Sequence, residues 1–398
     1  MYLTETHIIS ESEELKQITF KCKNLYNKSN YIIRQEFIKN NRYIGIYDMF
    51  NYMKDTVEYK SLPTRVSRSV LRYLDQNWKS FFITIKNWKY NKSKYKGRPN
   101  LPKYLDKKGK FNACFIDSGI LKKSKKYPNT IGLSGLSLRI KTNIEYKKIK
   151  EVNIKPLPSG KFKINIIYKY EENTKLKNNN RYCSIDLGLN NLMTLTSNNK
   201  RPIIVNGRPL KSINQYYNKT KSKYQSELPK NIYTSFKIKK LTEKRNNKIN
   251  DYLHKSSKWL IDYCLKNELN TIIIGYNHFW KTELNIGKRN NQNFINIPYE
   301  ILINMIEYKC NKAGINIELK EESYTSKCSS LDLEKIEKHS IYKGKRIKRG
   351  LFVSSYGKII NADVNGSLNI LRKAVPNVIF TDGIEAVAVQ PKTIKCFK

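Results

Sequence analysis

Apolar residues recur at helical spacing twice near the start of the chain, at Leu15, Ile18, Cys22, Leu25 and Tyr26 and again at Val66, Val70, Leu71, Leu74 and Trp78. Steps of three and four place such residues on one helix face, which predicts a helical unit over 11–105 whose helices bury those faces against each other. The end of that stretch, Lys89 to Leu105, is basic and broken by Gly97, Pro99 and Pro102, so it is expected to be a loop. From Phe111 to Tyr170 the pattern shortens to β-type runs such as Leu136-Ser137-Leu138-Arg139-Ile140 and Phe162-Lys163-Ile164-Asn165-Ile166-Ile167-Tyr168, separated by Gly and Pro turns. They predict a small β domain over 106–175.

Beyond the polar run Glu171 to Asn180, strands and helices alternate. Strands are expected at Tyr182 to Leu187, Asn190 to Thr196 and Ile203 to Val205, followed by helices near Lys211 to Lys223 and Phe236 to Lys266. A buried strand at Thr271 to Ile274, a helix opened by Pro298 and running to Ala313, and a strand at Ile315 to Lys320 complete the series. Three hairpin-connected strands, helices, and two more strands with a helix between them is the order of an RNase H-like α/β domain, here over 181–398. The expected class is therefore multidomain α/β.

Charge narrows the partners. The 398 residues carry 76 Lys+Arg against 33 Asp+Glu, a formal net charge of +43, with the basic residues spread along the chain among 28 Tyr, 14 Phe and 4 Trp. Cations neutralise phosphates and aromatic rings stack on bases, so a nucleic acid is the expected partner. The seven cysteines form no C-x-x-C pair, which fits a reducing cytoplasm rather than a disulfide framework. No stretch has the uninterrupted apolar length of a membrane span.

Two aspartates stand in positions suited to chemistry. Asp186 ends an apolar strand and precedes a turn containing Gly188, Asn190 and Asn191; Asp363 opens a late helix. Hydrolysis of a phosphodiester by two metal ions needs carboxylates gathered from distant segments, because hard cations prefer oxygen ligands. Taken alone, each aspartate is far better explained by helix or turn capping.

Their surroundings carry more. Ser184-Ile185-Asp186-Leu187-Gly188-Leu189-Asn190-Asn191-Leu192, the segment Arg245 to Ser256 with His254, Lys255 and Ser257, Tyr324-Thr325-Ser326-Lys327-Cys328-Ser329, and Asn361-Ala362-Asp363-Val364-Asn365-Gly366-Ser367 follow one another in this order. This series resembles the TnpB family, transposon-encoded RNA-guided nucleases related to the CRISPR type V effectors. The resemblance implies a RuvC-like nuclease domain over 181–398, a helical recognition lobe over 11–105, and a β-barrel wedge domain over 106–175 with residues 1–10 as its first strand. It also implies a guide RNA, a double-stranded DNA target, and two Mg²⁺ ions held by Asp186, Asp363 and a glutamate.

The sequence departs from that family twice. The second carboxylate is normally a Glu just after the fourth strand, where this chain has Thr271-Ile272-Ile273-Ile274-Gly275. Either the ligand has moved or cleavage is lost, leaving a guided repressor. The next strand ends Glu318-Leu319-Lys320-Glu321-Glu322, and strand alternation puts Glu321 on the face of Ile315, Ile317 and Leu319 and Glu322 on the other. Glu321 is the expected ligand if that apolar face carries the site, Glu322 if it does not; Glu283 is a more remote candidate. The family also places two C-x-x-C pairs before its last Asp, whereas here Cys328 stands alone and Val353-Ser354-Ser355-Tyr356 occupies the second place, so no zinc is expected in the insert near 327–358. Lys345, Arg346, Lys348 and Arg349 in that insert are candidates for nucleic-acid contact.

Overall fold

The computed structural model describes residues 1–122, 128–277, 297–348 and 350–395. Glu283 and Arg349 lie outside them. The chain divides into two compact units, Met1–Glu171 and Glu172–Lys398.

In the first unit, β1 (Tyr2–Ile9) precedes α1 (Glu13–Asn40), α2 (Ile46–Met53), α3 (Val57–Lys60) and α4 (Thr64–Tyr90). Ser12 caps α1 by accepting from the Leu15 amide, with Glu13 and Glu14 favourably placed in the first turn. The apolar stripes meet as the spacing predicts, and where Trp78 is fully buried its indole donates to Asn30 Oδ1 across the α1–α4 seam at 3.0 Å. The basic connector leaves the end of α4 through a 3-10 turn at Lys92–Lys94, and its far end is pinned to α1: Asn27 pairs with the Leu105 backbone in both directions, and Asn30 and Arg34 donate to the Pro102 carbonyl.

The strands β2 (Ala113–Ile116), β3 (Ile120–Leu121), β4 (Thr130–Leu133), β5 (Arg139–Lys141), β6 (Ile149–Pro156) and β7 (Phe162–Lys169) form two sheets, ordered β1-β7-β6-β2 and β3-β4-β5. The strand at the N-terminus pairs antiparallel along the whole of β7. Helices and strands share one core, in which Leu25 and Trp78 belong to the same cluster as Phe115, Val152 and Ile164. A division into separate helical and β domains, as the change in periodicity suggested, is not how this unit buries its apolar surface.

The second unit is built on a sheet of β8 (Tyr182–Leu187), β9 (Asn191–Ser197), β10 (Ile203–Asn206), β11 (Thr271–Gly275), β12 (Asn316–Lys320) and a final β16 (Lys392–Ile394), ordered β12-β11-β8-β9-β10-β16. The hairpin strands β8, β9 and β10 are antiparallel, while β11 lies parallel to β8, and β12 parallel to β11. That order and sense are the ones expected for an RNase H-like sheet. The short β16 pairs parallel with β10, an edge addition with no periodicity to announce it.

Alternation along β8 decides what each face holds. Cys183, Ile185 and Leu187 join a core with residues of α6 (Phe236–Lys266) and α7 (Tyr299–Ala313), the long helix α5 (Arg208–Ser226) packing beside α6. Ser184 and Asp186 turn to the opposite face, which is covered by α8 (Ala362–Ala374). There the hydroxyls of Ser184, Thr196 and Ser367 form a buried triangle with sides of 2.7, 3.0 and 3.2 Å, and Ser184 and Ser367 also donate to each other's carbonyls. Small hydrogen-bonding side chains let the α8 backbone approach the sheet closely beside Asp186. An insert of β13 (Lys345–Lys348), β14 (Leu351–Val353) and β15 (Ile359–Asn361) precedes α8, and a short α9 (Gly383–Val387) follows it.

Candidate active site

Asp186 lies against Gly366, where an added Cβ would stand 3.1 Å from Asp186 Oδ2. Asp363 is brought close by the helix start, and it is not the cap. Asn361 caps α8, its Oδ1 accepting from the amides of Asp363 at 2.9 Å and Val364 at 3.2 Å, so the Asp363 carboxylate is left to face outward. It accepts from Asn191 Nδ2 of the β8–β9 turn at 2.6 Å, and Arg346 of β13 stands 3.7 Å from its Oδ1.

The two glutamates part company. Glu321 is exposed, accepts from the Ser323 amide and hydroxyl, and pairs with Lys373 at 2.7 Å, which holds its carboxyl below the usual range despite some desolvation. Glu322 turns inward, to the place where the expected residue at 275 is missing. A Cβ built on Gly275 would lie 2.8 Å from Glu322 Oε2 and would also run into the Ile370 side chain. The space a side chain at 275 would need is thus taken by Ile370 and by the Glu322 carboxylate, and a larger residue at 275 would displace one or both.

Asp186 feels that carboxylate. Burial, then the charges of Glu322 and Asp363, push its carboxyl well above the usual range, and Arg346 opposes them. Mutual repulsion of this kind is what a bound cation relieves. The donors are all hard carboxylate oxygens, the set suited to magnesium rather than zinc. Among the described residues no three acidic, His or Cys side chains converge as a ready cage; Asp363 is drawn aside by Asn191 and Arg346.

Glu322 is presented by a turn rather than by the strand. Gly275 is the register partner of Lys320, the last residue of β12. Beyond it Thr325 closes a turn on Glu322, its hydroxyl and amide both donating to the Glu322 carbonyl, with Tyr324 in the left-handed region at φ 64°. Two asparagines of α8 lock the following segment: Asn369 donates to the carbonyls of Thr325 and Cys328, and Asn365 bridges the Cys328 carbonyl and the Ser330 amide. These positioning residues were not singled out from the sequence, though two buried asparagines four apart on an apolar helix face were a readable signal.

In the insert, the places of the family's cysteine pairs hold a carboxylate network. Buried Glu334 accepts from the amides of Ser329 at 2.7 Å and Lys343 at 2.9 Å. Asp332 accepts from the amide and hydroxyl of Ser355, and the Cys328 thiol points to the carbonyls of Lys335 and Glu337. Phe352, Ile360, Leu331 and Val387 supply a small core beneath. The basic strand β13 is exposed along its length, Lys345 and Lys348 included, with only Arg346 turned toward the carboxylates.

Residues 165–280 match the profile of a family described as "Probable transposase", and residues 299–370 match one described as "Cas12f1-like, TNB domain". A TnpB-like protein of Acidianus two-tailed virus is 26% identical over 212 residues, covering 50% of this chain and 43% of the viral protein. A TnpB-like protein of Methanocaldococcus jannaschii is 27% identical over 240 residues, covering 57% of this chain and 78% of that one. The chain thus spans less than half the length of the viral relative. Among solved structures, the mini-RNA-guided endonuclease CRISPR-Cas phi3 shares the fold with a TM-score of 0.51 at 10% identity, over 94% of this chain and 92% of that one. Both relatives are TnpB-like proteins, and this chain resembles them over about half of its length.

Proposed function

We propose that the protein is an RNA-guided DNA endonuclease whose RuvC-type site uses Asp186, Glu322 and Asp363. The observation that carries this reading is the Glu322 carboxylate standing where a side chain at Gly275 would be, next to Asp186. Without it the missing glutamate would leave two aspartates and no reason to keep them together. These three side chains would hold magnesium, which supplies activation of water and stabilisation of the leaving oxygen when bound.

The chain's own groups do the rest. Arg346 is placed to exchange its contact with Asp363 for a phosphate oxygen, freeing the carboxylate while neutralising the substrate. Base pairing with a guide RNA would select the target, and the protein's excess of positive charge would hold the backbones of both nucleic acids. Lys345 and Lys348, exposed on β13, would track the strand entering the site. Replacing either with Ala is expected to weaken DNA binding a few-fold and lower the slope of log affinity against log salt by roughly 0.7–0.9, as for one lost phosphate contact. Binding titrations at several salt concentrations check this.

The test of the function is to copurify the protein with RNA from its own locus and incubate it with a DNA target library in Mg²⁺ and, separately, in EDTA. Cutting at a fixed distance from a constant flanking motif, in Mg²⁺ alone, is the expected result. Guide-dependent binding with no cut in Mg²⁺ or Mn²⁺ would instead make the protein a guided repressor.

A further inference from the structure

The second unit has an open cleft of about 710 Å³ that Asp363 lines and that extends away from Asp186 and Glu322, neither of which lines it. Its walls come from the β8–β9 turn, Ile204 of β10, the first residue of α5, Arg346 of β13, the β14–β15 hairpin, Asp363 at the start of α8 and the C-terminal segment around Gln390. Backbone packing builds this space. Gly207 donates its amide to the Asn190 carbonyl at 2.7 Å, and a Cβ on Gly207 would lie 2.5 Å from the Leu189 carbonyl, while Tyr299 donates to the Gly188 carbonyl. On the far side β16 pairs with β10, and Arg201 donates to the Gln390 carbonyl, so the tail is held as a wall.

The chemistry of the lining is uneven in an informative way. Arg346 and Arg208 mark an anionic ligand, Leu189 and Leu351 offer apolar surface, and the amides of Asn190 and Gln390 offer paired donors and acceptors. Two cations beside the Asp363 carboxylate, aliphatic surface and side-chain amides suit a nucleotide held by its phosphate, by apolar contact with its base and by the base edge. The volume lies within the range of roughly 300–1,000 Å³ typical of small-molecule sites.

We infer that this cavity is a nucleotide subsite, receiving the nucleoside next to the scissile phosphate of the DNA strand being cut. The inference rests on the nuclease reading and extends it by giving the site a base contact of its own. Asn190 and Gln390 contact the base edge, and Arg208 takes the neighbouring phosphate. Specificity at one position then comes from the protein rather than from guide pairing.

The experiment uses the protein with its guide RNA and targets in which each nucleotide flanking the cut is replaced, one at a time, by an abasic analogue. One flanking position is expected to slow cutting about tenfold when its base is removed, the loss expected for one stacked and hydrogen-bonded base. In Gln390→Ala and Asn190→Ala the intact target should cut more slowly, and the same abasic substitution should cost little more. Tolerance of abasic sites at every flanking position, or an abasic penalty unchanged in both variants, would overturn the subsite while leaving the nuclease in place. No cutting of intact DNA by the unaltered protein would overturn the nuclease reading and the subsite with it.

Discussion

Replacing Glu322 with Gln is expected to slow guided cleavage by roughly a thousandfold or more, the usual scale for removing a member of a catalytic constellation, while target binding stays within about twofold. Gln keeps the volume beside Gly275 and removes only the charge, so a loss of rate reports chemistry rather than packing. Glu321→Gln is the control, and its rate should change less than about threefold, because Glu321 is engaged with Lys373 and Ser323 at the surface. Single-turnover cleavage alongside a filter-binding titration separates the two. Restoring the family's usual residue by Gly275→Glu should not rescue Glu322→Gln, since the new side chain would meet Ile370.

Removing the Glu334 carboxylate is expected to loosen the whole insert. Glu334→Ala strands the buried amide of Ser329 and frees the half-exposed amide of Lys343 to water, so one unsatisfied donor at about 1–3 kcal/mol sets the scale. The loss falls on the segment that carries Arg346, so protease nicking between 331 and 358 should rise together with a fall in cleavage rate. Glu334→Gln, which keeps one acceptor, should lose less. Zinc chelators should leave the melting of the unaltered protein unchanged, because carboxylates and backbone amides fill the role that thiolates and metal fill elsewhere. Differential scanning fluorimetry with and without chelator, paired with limited proteolysis, checks both statements.

Much of the sheet was legible because its strands are apolar runs bounded by turns. Tyr182 to Leu187 and the long helix Phe236–Lys266 fall where periodicity puts them. Asp186 and Asp363 were readable as strand end and helix start, and the vacancy at Gly275 was readable as a departure. What could not be read was which glutamate stands beside it. Alternation assigns Glu321 and Glu322 to opposite faces only while the chain remains extended, and β12 ends at Lys320. The inward turn of Glu322 comes instead from the local Glu322–Thr325 turn and from Asn369 on α8, 44 residues from Thr325, contacts that side-chain periodicity does not reveal. The same reason hid the Glu334 network, whose partners are backbone amides that no side-chain pattern reveals. It also hid the joining of helices and sheets in the first unit, since a shared core depends on where apolar faces meet, not on their period.

In the proposed site Glu322 takes the place of the glutamate absent at Gly275. The most direct measurement is the anomalous scattering of Mn²⁺ in crystals of the protein with its guide RNA. A peak coordinated by Asp186 and Glu322, retained in Glu321→Gln and lost in Glu322→Gln, is the predicted result. A peak that contacts Glu321 instead, or one indifferent to the loss of Glu322, would contradict it.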